Sequence, residues 1–127
     1  MIRRSLATAA AVAGLVVAAA GCGSSSGSGA YTPPTGPPVK TITVDATSYK
    51  YTPSKVAAPA GIIEFKLDNT DGIQHSFRIK NVNGFMIEAS AGKTVTGKVK
   101  LAPGTYTFYC DIPGHESAGM KGTLTVT

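Results

Sequence analysis

The residues with the most distinctive chemistry lie together near the end of the chain. Cys110-Asp111-Ile112-Pro113-Gly114-His115-Glu116-Ser117-Ala118-Gly119-Met120 holds a thiol, an imidazole and a thioether, with four residues between the first two and four between the last two. A loop this short, bent at Pro113-Gly114, can turn all three side chains toward one point. The chain has 2 histidines, and the other is His75. A thiolate, two imidazoles and a weakly held thioether are together the ligand set of a one-electron copper site. Taken singly, each has a plainer role: His75 as a core histidine bonded to a carbonyl, Cys110 as an inert buried thiol, Met120 as core filling. What points to a metal is that the set uses both histidines, and the one of the 2 cysteines that is not spent elsewhere.

Strands must hold these side chains, because the chain from Val39 to Thr127 shows no helical period. Alternation of apolar and polar residues marks Lys40–Val44, Ile62–Leu67, His75–Lys80, Lys93–Leu101, Thr105–Cys110 and Lys121–Thr127, with a further strand near Phe85–Glu88. Pro59-Ala60-Gly61, Asn69–Gly72, Asn81–Gly84, Ala91-Gly92 and Pro103-Gly104 punctuate them. Short strands at this spacing predict an all-β domain, a Greek-key antiparallel β-sandwich. The segment Ala46–Ala60 carries no clear pattern and reads as an irregular crossover. Residues two apart on a strand share a face. His75 therefore lies with Phe77 and Ile79, and Cys110 with Tyr106 and Phe108. Met120, continuing the last strand backwards, lies with Gly122, Leu124 and Val126. Each of these three sits at one end of a strand, on its apolar face.

At these residues the chain resembles the cupredoxins, the blue-copper proteins. Gly104-Thr105-Tyr106-Thr107-Phe108-Tyr109-Cys110 looks like the segment leading to the copper cysteine of plastocyanins, and Gly119-Met120-Lys121-Gly122 looks like the plastocyanin segment on the far side of that cysteine. Cys-x-x-Pro-Gly-His is more like azurin, the doubled four-residue spacing is similar to rusticyanin and auracyanin, and Asn69 through His75 resembles the plastocyanin segment that delivers the first histidine. The resemblance covers essentially the whole domain. It implies one type 1 copper per chain, with His75, Cys110 and His115 as strong equatorial ligands and Met120 as the long axial one. It also implies that His115 is the electron port, ringed by Ile112, Pro113 and Phe85 or Met86. The family often has Asn after the first histidine, bracing the copper loop. Here Ser76 stands there, so the bracing is weaker or made differently, while the Ser76 backbone N–H remains available to the thiolate.

Upstream of the domain, Arg3 and Arg4 precede an apolar run from Ala7 to Ala20, the pattern of a signal-peptide core rather than a mature membrane span. Ala19-Ala20-Gly21-Cys22 resembles a bacterial lipobox, with Ala where Leu is commoner; this implies cleavage before Cys22 and lipid attachment to it. Residues 1–21 are thus read as signal peptide, 22–38 as lipidated Cys22 and a flexible Gly/Ser/Pro tether, and 39–127 as the domain. Such a tether spans roughly 20 Å. Gly23-Ser24-Ser25-Ser26-Gly27 matches the nucleophile-elbow pattern, but a linker lacks the strand and helix that the elbow needs. The formal charge of +5 falls to +3 without Arg3 and Arg4, and the lysines are spread along strands, which gives nucleic-acid binding no support.

Together these features predict a lipid-anchored, extracytoplasmic, monomeric carrier on the bacterial cell membrane. It would shuttle single electrons between transient redox protein partners, with no small-molecule substrate. The alternative on the same ligands is a lipoprotein that buffers or delivers copper. Such sites tend to be richer in Met or His, and the domain's only spare sulfur is Met86. Copper enzymes built from these domains need further histidines or a second loop cysteine, neither of which is present. Nucleophilic catalysis by Cys110 and His115 leaves His75 and Met120 unexplained, and a metal-free adhesive domain leaves the whole set unexplained. The chain is therefore read as no enzyme.

Overall fold

The computed structural model describes residues 30–127; the expected signal peptide, Cys22 and the first part of the expected tether lie outside the described residues. Among the described residues nine strands run in succession: β1 (Lys40–Thr47), β2 (Lys50–Thr52), β3 (Lys55–Ala58), β4 (Gly61–Asn69), β5 (His75–Ile79), β6 (Met86–Ala89), β7 (Thr94–Leu101), β8 (Gly104–Tyr109) and β9 (Lys121–Val126). They form a four-stranded sheet in the order β2-β1-β4-β7 and a five-stranded sheet in the order β3-β9-β8-β5-β6. The alternation read from the sequence is the cause. β1 turns Ile42, Val44 and Ala46 inward and its polar residues outward, and β4 does the same with Ile63, Phe65 and Leu67. The inner faces meet in an aromatic core. Phe65 of one sheet lies 4.8 Å from Phe77 of the other, ring centre to ring centre, and Phe77 stacks on Phe108 at 5.0 Å.

The protein is the expected all-β sandwich, but it departs in two details from the antiparallel arrangement and irregular crossover read from the sequence. β1 pairs parallel with β4, and β3 pairs parallel with β9. The chain leaves β1 and visits the opposite sheet at β3 before returning to β4, and parallel neighbours need a long connection of that kind. The second difference lies in Ala46–Ala60, expected to be irregular. It ends β1 and holds β2 and β3, whose 3 and 4 residues are too few to display a period.

Part of the segment expected to be flexible is held against the domain. The Tyr31 hydroxyl donates to the Lys98 carbonyl at 2.7 Å, its ring meets Phe85 edge-on at 5.5 Å, and Lys98 Nζ donates to the Gly36 carbonyl at 3.0 Å. The reason is local: Tyr31 brings a large ring that gains by leaving water, in a stretch otherwise made of Pro, Thr and Gly.

Candidate metal centre

Three strand ends of the five-stranded sheet deliver the candidate ligands. β5 begins at His75, β8 ends one residue before Cys110, and β9 begins one residue after Met120. β8 and β9 are antiparallel partners, with Tyr109 opposite Lys121, so the Cys110–Met120 loop is closed at its base. Above that pair, Cys110 N–H donates to the Met120 carbonyl at 3.2 Å and Met120 N–H to the His115 carbonyl at 3.1 Å. Gly114, at φ 85°, takes a backbone conformation that side chains rarely allow and folds His115 back over the loop. On the β5 side, buried Asn69 shapes the approach to His75. Its Nδ2 lies 2.8 Å from both the Ile73 and Ala89 carbonyls, and its Oδ1 accepts from Asp71 N–H at 3.0 Å.

The result is a compact donor cluster. His75 Nδ1 and His115 Nδ1 lie 3.3 Å apart, Cys110 Sγ is 3.4 Å from His115 Nδ1, and the ligand atoms of all three residues fall within 4.8 Å of one another. His75, Cys110 and Met120 are fully buried, and His115 is 8 % exposed. Met120 is tied to both loop ligands through its backbone. These donors fit a copper ion: a soft thiolate and thioether suit Cu(I), imidazole suits both oxidation states, and among the described residues no hard carboxylate ligand joins the cluster.

Around the cluster the hydrogen bonds orient each donor. Asp71 Oδ2 lies 3.0 Å from His75 Nε2 and accepts a hydrogen bond from its N–H, which leaves the Nδ1 lone pair facing the cluster. That bond to His75 is the main reason the Asp71 carboxyl sits below its ordinary pKa, helped by the Ser48 and Gly72 N–H groups. Burial, together with the neighbouring His75, lowers the His115 pKa and favours its neutral form. Tyr51, whose hydroxyl donates to the Ser76 carbonyl, is pushed up by burial and by Cys110.

The bracing at Ser76 is indeed made differently. Ser76 N–H donates to Cys110 Sγ at 3.4 Å. Its Oγ lies equally far from the sulfur, but it also accepts from Asp111 N–H at 2.9 Å and lies 2.5 Å from Asp111 Oδ1. A hydroxyl has one proton, and the short contact to a carboxylate claims it. The backbone N–H is therefore the donor to sulfur, while the side chain clamps the residue after Cys110. Arg78 completes the clamp at 2.9 Å from Asp111 Oδ2. Burial pushes the Asp111 carboxyl up, but the Ser76 and Arg78 contacts outweigh it and leave the pKa lowered.

Not every residue expected near His115 is there. Ile112 is partly buried against the core and Pro113 is exposed on the loop. Phe85 is instead in the core, against Tyr31, Phe65 and Phe77, and Met86 is exposed on β6 opposite Arg78. β6 runs antiparallel to β5, so Ala89 pairs with His75 and Met86 is carried toward the other end of the strand. The aromatic beside His115 is Tyr49, edge-on with ring centres 4.9 Å apart. Nothing in the local pattern marked it, because it comes from the segment with no readable period.

Two sheets closed over an aromatic core, with two histidines, one cysteine and one methionine gathered at one end, define a β-sandwich arranged as a type 1 copper site. Residues 11–126 match the Cupredoxin-like domain, and the chain belongs to that family. Auracyanin-B of Chloroflexus aurantiacus is 55 % identical over 42 residues, covering 33 % of this chain and only 17 % of that protein's length. Plastocyanin of Dryopteris crassirhizoma is 35 % identical over 101 residues, covering 62 % of this chain and 89 % of its own. Among solved structures, auracyanin B superposes with a TM-score of 0.68 at 25 % identity over 78 % of this chain and 96 % of that one. A multicopper oxidase shares the fold alone, with a TM-score of 0.59 at 13 % identity over 72 % of this chain and 45 % of that one.

Proposed function

We propose that this protein is a blue-copper electron carrier in which His75, Cys110 and His115 hold one copper ion and Met120 contributes a weak fourth ligand. The observation that carries the reading is the convergence of three buried donor atoms within 4.8 Å, delivered by two strand ends and one closed loop. When bound, copper supplies a one-electron couple. The chain's own residues keep the donors in place before any metal enters. Asp71 fixes the His75 tautomer, the Ser76 N–H supports the thiolate, and the backbone bonds across Cys110–Met120 hold the loop. Burial excludes water, and a donor set that is already fixed needs little rearrangement when its charge changes.

Four buried ligands favour carrying electrons over delivering copper, because a site that hands over its metal needs an open face for the acceptor's ligands. No small-molecule substrate is required, and the relatives named plastocyanin and auracyanin support a non-catalytic role. The setting we propose is extracytoplasmic. Cys22 carries lipid that anchors a monomer to the bacterial cell membrane, and its partners are redox proteins met transiently.

The test is a visible spectrum of residues 30–127 after addition of Cu(II), beside Cys110→Ser. An intense thiolate-to-copper band in the wild type and not in C110S is the expected result. A colourless protein without tight copper binding would sink the assignment. Metabolic labelling with a radioactive fatty acid, lost in Cys22→Ser, tests the anchor separately.

A further inference from the structure

The turn between β1 and β2 touches both histidines, and the copper-site reading gives it no role. Thr47 pairs with Lys50, so only Ser48 and Tyr49 make the reversal, at φ 49° and 59°. Positive φ at both central residues is the backbone of a type I′ hairpin turn, for which Asn-Gly and its like are the favoured occupants. A bulky aromatic residue there is a true outlier, and such strain persists only where the surroundings impose it. Here two contacts do so. Ser48 N–H donates to Asp71 Oδ2 at 2.9 Å, the same oxygen that lies 3.0 Å from His75 Nε2. The Tyr49 ring stands edge-on to His115 at 4.9 Å and 90°, and to His75 at 6.4 Å and 82°. Tyr49 is 42 % exposed, while His115 beneath it is 8 % exposed.

We propose that this turn is a strapped lid on the centre: Asp71 fastens it to His75, and Tyr49 closes the solvent edge of His115. Tyr49 is a positioning residue, and it sets how closely a redox reagent approaches the imidazole. That last consequence rests on the copper reading; the closing of His115 does not. Were the turn needed only to reverse the chain, glycine at position 49 would serve better, because it takes positive φ at no steric cost. The strained aromatic is explained by where its ring lies.

Glycine also supplies the test. Tyr49→Gly relieves the backbone while removing the ring, and Tyr49→Asn does the same with a residue that tolerates this conformation. Tyr49→Phe keeps the ring. In the metal-free proteins, diethyl pyrocarbonate modification is tracked at each histidine by peptide mass spectrometry. His115 is expected to react severalfold faster in Y49G and Y49N and at the wild-type rate in Y49F, with His75 unreactive throughout. Equal His115 rates in all four proteins overturn the lid. So does equal acceleration at both histidines, which would mean that the turn merely holds the domain together. In the copper-loaded proteins, oxidation by hexacyanoferrate(III) is expected to be severalfold faster in Y49G with the blue band retained. If the wild type shows no blue band, the copper reading falls, while the histidine rates still decide the lid.

Discussion

One carboxylate oxygen, Asp71 Oδ2, accepts from His75 Nε2 and from Ser48 N–H, and Oδ1 of the same group accepts from Gly72 N–H. Asp71 touches no cluster donor atom, yet it decides which nitrogen of His75 faces inward. Asp71→Ala should therefore lower copper affinity about 10- to 100-fold, the usual cost of losing such an orienting partner. A competitive chelator titration measures it, and Asp71→Asn, which keeps an acceptor oxygen, should recover part of the loss. Ser76→Ala tests the opposite case. It strips the Asp111 N–H of its acceptor and the Asp111 carboxylate of one donor, a loss of about 1 kcal/mol for these part-buried bonds. Denaturant titration reads that loss, while the blue band should persist because the Ser76 backbone N–H still meets Cys110 Sγ. The contrast shows what residue types reveal. Cys110, His115, Met120 and His75 were legible because few side chains have their chemistry and the spacing of the first three fits one loop. Asp71, Asp111 and Tyr49 were not, because carboxylates and tyrosines serve many ends and only the folded register brings these three to the site.

The strands supply rigidity by close fit, and Gly122 shows how close. It lies opposite Phe108 in the β8–β9 register, and a methyl group at its α-carbon would overlap the Phe108 ring and the Ser54 carbonyl. Neither neighbour can yield: the ring is fully buried in the aromatic core, and the carbonyl accepts from Thr123 N–H at 2.8 Å. Gly122→Ala should destabilise the domain by about 1–3 kcal/mol, the range for overpacking a tight core. Because β9 begins next to Met120, the same change should broaden the blue band. Thermal unfolding and the visible spectrum check the two effects. The docked N-terminal segment is a milder case: Tyr31→Ala removes one hydrogen bond and one edge-on aromatic contact, for a loss of about 1–2 kcal/mol. At this scale, legibility tracked strand length. β1, β4, β7 and β9 announced themselves by alternation. β2 and β3 were too short to do so, and parallel pairing depends on crossovers that no local window contains.

Across the whole molecule, the centre lies where the two sheets meet. β5, β8 and β9 of one sheet deliver the ligands, and the β1–β2 turn of the other covers them. Charge there is linked to folding, and the sign depends on which state binds more protons. His115 is shifted below its ordinary 6.5, so as pH falls through that range the unfolded chain takes up a proton that the folded one refuses, and stability drops. Asp71 and Asp111 are shifted below their ordinary 3.8. Their stabilisation is complete above that value and is lost as pH falls toward their folded pKa values. Lys80, raised by its hydrogen bond to Glu116, works the other way; its contribution is full below its ordinary 10.5 and is lost as pH rises through the folded value. The metal-free protein should accordingly show a stability dome whose acid side falls in two steps, one near the histidine range and one below the carboxylate range. Denaturant midpoints measured across pH read this directly, and His115→Gln should erase the first acid step while leaving the second. A midpoint that stays flat between about pH 8 and pH 5, where an ordinary histidine titrates, would mean that His115 is not held neutral by the fold. The donor cluster would then have to be assembled by the metal rather than prepared for it.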